Sequence, residues 1–171
     1  DSNRKTHKKQ GSVFKLDRKI LTVRQLAEYA VEKFEEKDFC RYLVDGTVIT
    51  KSYREFFEDS LSVCRYIRSV NPASIHIGFI GKTGYEYIAC LTGMIFSGNT
   101  VVPFSPDITV EEATTLFDDA DIEILFCEEE FLSKAKKIKE AYPGLVHIVS
   151  LGNREWFADI FSRYNSESEF A

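Results

Sequence analysis

Four short apolar segments that alternate with helix patterns dominate the second half of this chain. They cover residues 74–80, 100–104, 122–127 and 146–151, and a helical pattern separates each from the next. Because a helical crossover returns the chain to the same end of a sheet, this alternation favours parallel pairing through right-handed connections. The sequence therefore predicts an α/β fold in three layers, with a mainly parallel sheet over residues 72–151 and helices on both of its faces.

Helix starts are marked by one repeated pair of side chains. A Ser or Thr is followed three residues later by Glu or Gln, in the pairs Thr22 with Gln25, Ser52 with Glu55, Thr83 with Glu86, and Thr109 with Glu112. In a capping box, the hydroxyl accepts from the third residue's N–H and the longer side chain reaches back. The pattern predicts a helix after each pair, with Gly98 ending the third. Apolar spacing predicts two more helices, over residues 129–142 and 155–164.

The segment before the predicted sheet has a different pattern. Residues 39–44 and 47–50 are strand-like and flank Asp45-Gly46, the strongest short hairpin signal. With a predicted helix on each side, residues 20–71 are predicted to form an N-terminal helix–hairpin–helix annex.

The domain boundaries are predicted as follows. We expect residues 1–19 to be a disordered basic leader, residues 20–164 to be the α/β subdomain, and residues 165–171 to be a frayed end or cut linker. The absence of an initial Met suggests an excerpt of a longer chain.

Charge is distributed unevenly along the chain. Residues 1–19 carry seven Lys or Arg and two Asp, whereas the whole chain has a net charge of −5. The acidic total argues against general nucleic-acid binding. A basic tail of this kind fits contact with RNA or an acidic membrane, but blocks of like charge more often stay open and solvated.

The cysteine pattern and hydropathy indicate the compartment. The cysteines at positions 40, 64, 90 and 127 have no Cys-x-x-Cys spacing and lie in apolar runs, so we interpret them as reduced core thiols. No apolar run approaches the roughly 20 residues of a membrane span, and no secretory signal pattern is present. These features predict a cytoplasmic protein without a transmembrane segment.

One segment resembles a phosphate-binding loop. Gly81-Lys82-Thr83 follows a strand and opens a helix, but a P-loop needs a Gly where His76 stands. The interpretation favoured is a tight turn with Thr83 as N-cap, although a helix N-terminus at the end of a strand also suits an anion.

The remaining candidates also have ordinary structural explanations. His7, His76 and His147 lack the spacing of a metal pair, and Glu128-Glu129-Glu130 suits the solvated start of a helix. The apolar stripe around Trp156 is typical of core contact. The sequence therefore predicts no catalytic, cofactor-binding or metal-binding residues of its own.

Three segments in a fixed order resemble the AMP-forming adenylating enzymes. Ser52-Tyr53-Arg54-Glu55-Phe56 is similar to the family's Thr-Tyr-x-Glu-Leu motif, and Gly98-Asn99-Thr100-Val101-Val102-Pro103-Phe104 is similar to its Gly-to-Val-Pro-Leu segment. Between them, Ile77-Gly78-Phe79-Ile80-Gly81-Lys82-Thr83-Gly84-Tyr85-Glu86-Tyr87 resembles the stretch written Ile-x-Gly-x-Asn-x-Tyr-Glu-Trp. Within the family, the sequences of these segments most resemble those of bacterial long-chain fatty acid–CoA ligase. Thr83, Asn99 and Phe104 depart from the pattern, which bears on the substrate class.

The resemblance implies a two-step reaction in the intact enzyme. ATP and a carboxylate, here expected to be a fatty acid, give an acyl-adenylate and pyrophosphate, and coenzyme A then takes the acyl group. The family's phosphate loop, Mg²⁺-binding Glu, ribose-binding Asp and late Lys are not in these 171 residues. The resemblance therefore implies the N-terminal portion of an acyl-CoA synthetase, inactive alone, with ATP, Mg²⁺ and coenzyme A bound by the rest of the parent ligase.

Two other functions stay open from the sequence. One is a free-standing, non-catalytic α/β binding or scaffold module, and the other is a nucleotide-sensing, flavodoxin-like domain. A subdomain cut from a larger domain is also expected to expose an apolar patch and to self-associate.

Overall fold

The four predicted strands of the second half lie side by side in one parallel sheet. The computed structural model describes residues 15–70, 75–151 and 159–160. The strands are β3 (His76–Ile80), β4 (Thr100–Phe104), β5 (Ile122–Cys127) and β6 (His147–Ser150), in the order β4-β3-β5-β6. In register, Ile77 pairs with Val101 on one side and with Ile124 on the other. The predicted parallel sheet is confirmed.

Helices flank this sheet and an N-terminal hairpin. They are α1 (Val23–Phe34), α2 (Tyr53–Val70), α3 (Tyr85–Phe96), α4 (Val110–Asp119) and α5 (Leu132–Ala141). A 3-10 turn, Glu129–Phe131, precedes α5 and takes the first part of the predicted fifth helix. Across the described ranges, no helix has both the length and the hydropathy needed to cross a membrane.

Alternate strand residues face two separate cores, one on each side of the sheet. Phe79 and Phe126 pack with Val63 and Ile67 of α2 and with Met94 of α3. On the other side, the neighbouring strand residues pack against α4 and α5, in a cluster that includes Ile80, Leu125, Ala113, Phe117 and Ile138. Because successive side chains of a strand point to opposite faces, one short apolar run supplies both cores. The predicted three-layer arrangement is present.

The predicted helix caps differ in outcome. At Thr109 and Ser52 both hydrogen bonds of the capping box form, with Glu112 and Glu55 respectively. Thr22 Oγ1 accepts from the N–H of Gln25 at 3.1 Å, while the Gln25 side chain accepts from the N–H of Leu21.

The prediction of Thr83 as an N-cap is wrong. The helix α3 begins at Tyr85, and its cap is Gly84 in an extended conformation. Glu86 is consequently the second residue of the helix, one position short of a box. At the other end, Gly98 follows the last turn with a φ of 87°, as expected for a helix stop.

The first part of the chain forms the predicted helix, hairpin and helix, but α2 does not belong to an annex. The strands β1 (Asp38–Val44) and β2 (Thr47–Ser52) pair antiparallel. They join through Asp45 and Gly46, whose positive φ angles of 48° and 80° suit a tight hairpin turn. Since α2 packs on the parallel sheet, α1 and the hairpin are the described elements that lie outside the three layers.

The end of the predicted leader contacts α1. Asp17 forms an ion pair with Lys33 at 2.7 Å, and Arg18 forms one with Glu32 at 2.8 Å. Residues 1–14 and 165–171 lie outside the described residues. The predicted sixth helix and the Trp156 stripe also lie outside them, apart from residues 159–160, which are helical. The domain boundaries stay predictions.

Candidate functional site

The carboxyl ends of the central strands bring two sequence candidates together. Ile80 at the end of β3 pairs in register with Cys127 at the end of β5. The loop of Gly81-Lys82-Thr83 therefore lies beside Glu128 and the 3-10 turn. Residues 82 and 128 are 46 positions apart, so no local sequence pattern indicates this meeting.

The loop of Gly81-Lys82-Thr83, called the glycine loop below, donates a backbone hydrogen bond to a carboxylate. Glu128 Oε1 accepts a hydrogen bond from the backbone N–H of Lys82 at 2.7 Å. The ammonium group of Lys82 forms an ion pair with Glu130 Oε2 at 2.8 Å. Burial raises the pKa of Glu128, although the Lys82 N–H opposes that shift. The interpretation of all three glutamates as a solvated helix start is wrong for Glu128, whereas Glu129 and Glu130 are exposed.

The glycine at the end of β3 makes this contact possible. A Cβ atom at Gly81 would lie 2.8 Å from Glu128 Oε1 and 3.1 Å from Cδ2 of Tyr87. Any side chain at this position would therefore displace the carboxylate or the ring. The close approach of Glu128 is enough to explain why residue 81 is a glycine. A bound phosphate is not needed to explain it.

This edge does not fit a phosphate group. In a doubly wound sheet, ligands bind where neighbouring strands send their connections to opposite faces, which here is the crevice between β3 and β5. The Lys82 N–H and ammonium group already contact carboxylates of the chain, and those negative charges repel a second anion. Among the residues that the structure describes, no group of three His, Cys, Asp or Glu is placed to hold a metal ion.

A buried polar network, which sequence reasoning missed, lies on the other side of α3. Asp59 Oδ2 accepts hydrogen bonds from the Tyr85 hydroxyl and from Lys51 Nζ, the latter at 3.1 Å. The Lys51 ammonium also lies 5.1 Å from the centroid of the Tyr85 ring. Burial and the bond to Asp59 raise the pKa of Tyr85 far above its ordinary value. The available signal was Asp59 itself, a charged residue on the apolar stripe of α2.

The two histidines that the structure describes, His76 and His147, take no part in either arrangement. His76 Nδ1 lies 2.6 Å from the carbonyl oxygen of Ala120, at the amino end of the sheet and away from the glycine loop. His147 begins β6 and is exposed. His7 lies outside the described residues.

All four cysteines are free thiols. Burial raises the pKa of each of them, and it raises that of Cys127 to about 11. Since the thiolate is the reactive form, a raised pKa leaves these side chains unreactive at neutral pH.

Surface cavities lie on two sides of the fold. One of about 770 Å³ lies beside the end of β4, lined by residues that include Phe104, Ile108 and Leu116. The other, of about 320 Å³, is apolar and lies between α1, the hairpin and α2, with the aromatic lining residues Phe34, Phe39, Tyr53, Phe56 and Phe57. Leu26, which also lines this cavity, exposes half of its side chain, and Leu21, just before α1, exposes 70%. The expected self-association stays a prediction.

A family model and two known proteins match most of this chain. The family model described as AMP-binding enzyme matches residues 27–167. Fatty acid–[acyl-carrier-protein] ligase ScoC of Streptomyces coeruleorubidus is 27% identical over 111 residues, which is 64% of this chain and 21% of that protein. A plipastatin synthase polypeptide of Bacillus subtilis (strain 168) is 25% identical over 142 residues, covering 77% of this chain and 4% of that protein. The chain thus spans a small part of the length of these relatives.

Solved structures share the fold. A long-chain-fatty-acid-CoA ligase (FadD1) from Archaeoglobus fulgidus superposes with a TM-score of 0.72 at 16% identity, covering 86% of this chain and 31% of that one. The anthranilate CoA ligase AuaEII, in complex with anthranoyl-AMP, gives a TM-score of 0.69 at 17% identity, covering 88% and 29%. Since the family model matches most of the residues and the same layers recur in these ligases, the chain belongs to the AMP-binding enzyme family.

Proposed function

We propose that this chain is the N-terminal portion of an ATP-dependent, AMP-forming acid–thiol ligase. The parent enzyme activates a carboxylic acid to an acyl-adenylate and transfers the acyl group to coenzyme A. The family match over residues 27–167 carries this proposal. The superposition on CoA ligases supports it, because the matched part is 29–31% of those chains.

A fatty acid is the proposed substrate of the parent. The similarity to a fatty acid–[acyl-carrier-protein] ligase and to a long-chain-fatty-acid-CoA ligase supports this choice. Anthranilate is the competing substrate class, because an anthranilate CoA ligase superposes about as well. The acceptor thiol is proposed to be coenzyme A, and the compartment is proposed to be the cytoplasm.

Within the parent, the chain is proposed to form one wall of the large domain and to carry no catalytic group. Its carboxyl edge supports this role, because Glu128 and Glu130 already hold the backbone and the ammonium of Lys82. Neutralising phosphate charge is a large part of adenylate chemistry, and a carboxylate-lined loop opposes it. ATP and Mg²⁺ are therefore assigned to the rest of the parent.

An ATP–pyrophosphate exchange assay tests the proposal. The 171-residue chain alone is expected to give no exchange above a blank with any acid. A full-length ligase that contains these residues is expected to exchange with fatty acids more than with anthranilate. Strong exchange by the isolated chain contradicts the assignment of catalysis to the remainder. Preference of the parent for anthranilate contradicts the proposed substrate alone.

The alternative is a free-standing, non-catalytic binding or scaffold module. One observation favours it: within the described ranges, every buried side-chain nitrogen and oxygen has a hydrogen-bond partner. The described part is thus internally satisfied, as an independent module is expected to be. A stop codon directly after Ala171 in the natural gene supports the module, whereas a downstream Ser/Thr/Gly-rich loop supports the ligase.

A further inference from the structure

The crevice between β3 and β5 is where a doubly wound sheet most often binds a ligand. The connection after β3 enters α3, whose Cys90 and Met94 pack on one face of the sheet. The connection after β5 enters α5, whose Ala135 and Ile138 pack on the opposite face. The two loops diverge as they leave the sheet, and such a point of divergence normally leaves room for a phosphate at the following helix.

In this protein Glu128 fills the crevice. Its backbone N–H donates to the carbonyl oxygen of Ile80 at 3.2 Å, which continues the pairing of β3 and β5 by one residue. Its side chain reaches across the same gap and accepts from the N–H of Lys82 at 2.7 Å. Gly81 leaves space for the carboxylate, since a Cβ atom there would lie 2.8 Å from Oε1.

The charges around the crevice are balanced by the chain itself. The Glu128 carboxylate lies near the N-terminal end of α3, where the helix dipole favours negative charge. The Lys82 ammonium contacts Glu130 at 2.8 Å. Both positive features of the loop, the backbone N–H and the ammonium, are therefore paired with carboxylates.

We infer that Glu128 is an internal anion that closes this crevice. Its carboxylate takes the backbone donor that a bound phosphate would use, and it joins the loop after β3 to the loop after β5. The raised pKa of Glu128, caused by burial, agrees with a carboxylate that is partly withdrawn from water. A closed crevice opposes a nucleotide-sensing, flavodoxin-like role, whether or not the chain is part of a ligase.

Amide hydrogen exchange of the full 171-residue chain tests the join between the loops. Glu128→Ala removes the acceptor, and we expect the exchange rate of the Lys82 amide to rise about tenfold, as loss of a hydrogen bond to a charged group predicts. Glu129→Ala, at the adjacent exposed position, is the matched control and should leave that rate unchanged. An unchanged Lys82 rate in Glu128→Ala overturns the inference.

A second variant covers the case in which Glu128→Ala does not fold. Glu128→Gln keeps an oxygen acceptor of similar shape but removes the charge. The Lys82 amide of Glu128→Gln is expected to exchange several-fold faster than in the wild type, because a neutral acceptor forms a weaker bond. An equal rate in Glu128→Gln and wild type counts against a role for the charge and overturns the inference.

Titration with inorganic phosphate and with ATP tests the closure of the crevice. At millimolar concentrations, the Lys82 and Tyr85 amide resonances of the wild type are expected to stay in place. Saturable shifts of these two resonances would show an open anion site and overturn the inference. That result would leave the proposed ligase function intact, because pyrophosphate exchange tests it separately.

Discussion

The hydroxyl of Tyr85 donates a hydrogen bond to Oδ2 of Asp59, which joins α3 to α2 inside the protein. Lys51 at the end of β2 contacts the same oxygen at 3.1 Å, so the hairpin is held at this point as well. Lys51 directly precedes the segment 52–56, and Tyr85 lies in the segment 77–87, which are two of the segments that resemble adenylating enzymes. These segments are thus neighbours in space as well as ordered in sequence.

Removing the Tyr85 hydroxyl should destabilise the fold. Tyr85→Phe leaves a buried carboxylate with one donor fewer, and the expected loss in free energy of unfolding is about 1–3 kcal/mol. Urea denaturation followed by circular dichroism measures it. Tyr87→Phe is the matched control on the same helix, because its ring keeps its stacking on Phe79 at 4.5 Å. Equal stability of the two variants contradicts a structural role for the Tyr85–Asp59 bond.

Stability at alkaline pH should depend on the same residue. Burial and Asp59 raise the pKa of Tyr85 in the folded state, so above about pH 10 the unfolded chain releases a proton that the folded chain keeps. The free energy of unfolding must then fall as pH rises, by up to about 1.4 kcal/mol per pH unit from this group. Tyr85→Phe lacks that contribution and should show a shallower slope in denaturation between pH 9 and 11. Parallel slopes would mean that Tyr85 titrates normally in the fold.

The packing of α3 on α2 should not tolerate a methyl group at Gly93. A Cβ atom there would lie 2.6 Å from Cβ of Val63 and 2.7 Å from the backbone oxygen of Ser60. Gly93→Ala is expected to lower the free energy of unfolding by about 1–3 kcal/mol through overpacking. Gly84→Ala is the comparison, because its nearest neighbour atom would be 3.7 Å away and it should lose only the modest preference of a helix N-cap for Gly over Ala. Thermal denaturation should give a clearly lower midpoint for Gly93→Ala, and equal midpoints would refute this packing.

The capping box at the start of α4 should contribute measurable stability. The Thr109 hydroxyl accepts from the N–H of Glu112 at 3.2 Å, and Thr109→Ala removes that acceptor at an expected loss of about 1 kcal/mol. Thr115→Ala changes an exposed threonine of the same helix and should cost little. Chemical denaturation compares the two. A Thr109→Ala midpoint at or above that of Thr115→Ala would contradict the role of the cap.

The stability that Glu112 contributes to the capping box should depend on pH in a characteristic way. Hydrogen bonds from the Thr109 backbone and hydroxyl lower the pKa of Glu112 below 4.5. A carboxyl whose folded pKa is depressed contributes stability above its unfolded pKa and loses it as pH falls through the folded value. Wild type should therefore exceed Glu112→Gln in stability at neutral pH, and the difference should shrink in acid. A difference that stays constant from pH 7 to pH 3 would show that the Glu112 charge plays no part.

Much of the fold could be predicted because its signals are local. The strand β5 has the predicted bounds, residues 122–127, since an apolar run between turn signals indicates a buried strand by itself. The box of Thr109 and Glu112 needs only a spacing of three residues. The failure at Thr83 is also local: a one-residue shift of the helix start removes a box, and helix ends are the least certain part of such a prediction.

The contacts at the carboxyl edge and inside α2 could not be predicted in the same way. Glu128 is the first of three consecutive glutamates, a pattern typical of a solvated helix start. Asp59 lies in a helix that has other charged residues, and its sequence context does not distinguish it from them. Each contacts a partner far away in sequence, Lys82 or Tyr85. Whether a carboxylate meets water or a donor depends on which strands become neighbours, and hydropathy does not encode that order.

The amino-acid sequence by itself determined the helices, the strands, their parallel direction and the resemblance to adenylating enzymes, because periodicity, caps and crossover length are properties of short segments. Only the tertiary structure decided that β3 lies between β4 and β5, that α2 joins the main core, and that Glu128 closes the crevice. The physical reason is that these features arise from packing between segments distant in sequence, where burial of the whole sheet selects one arrangement among those that the local signals allow.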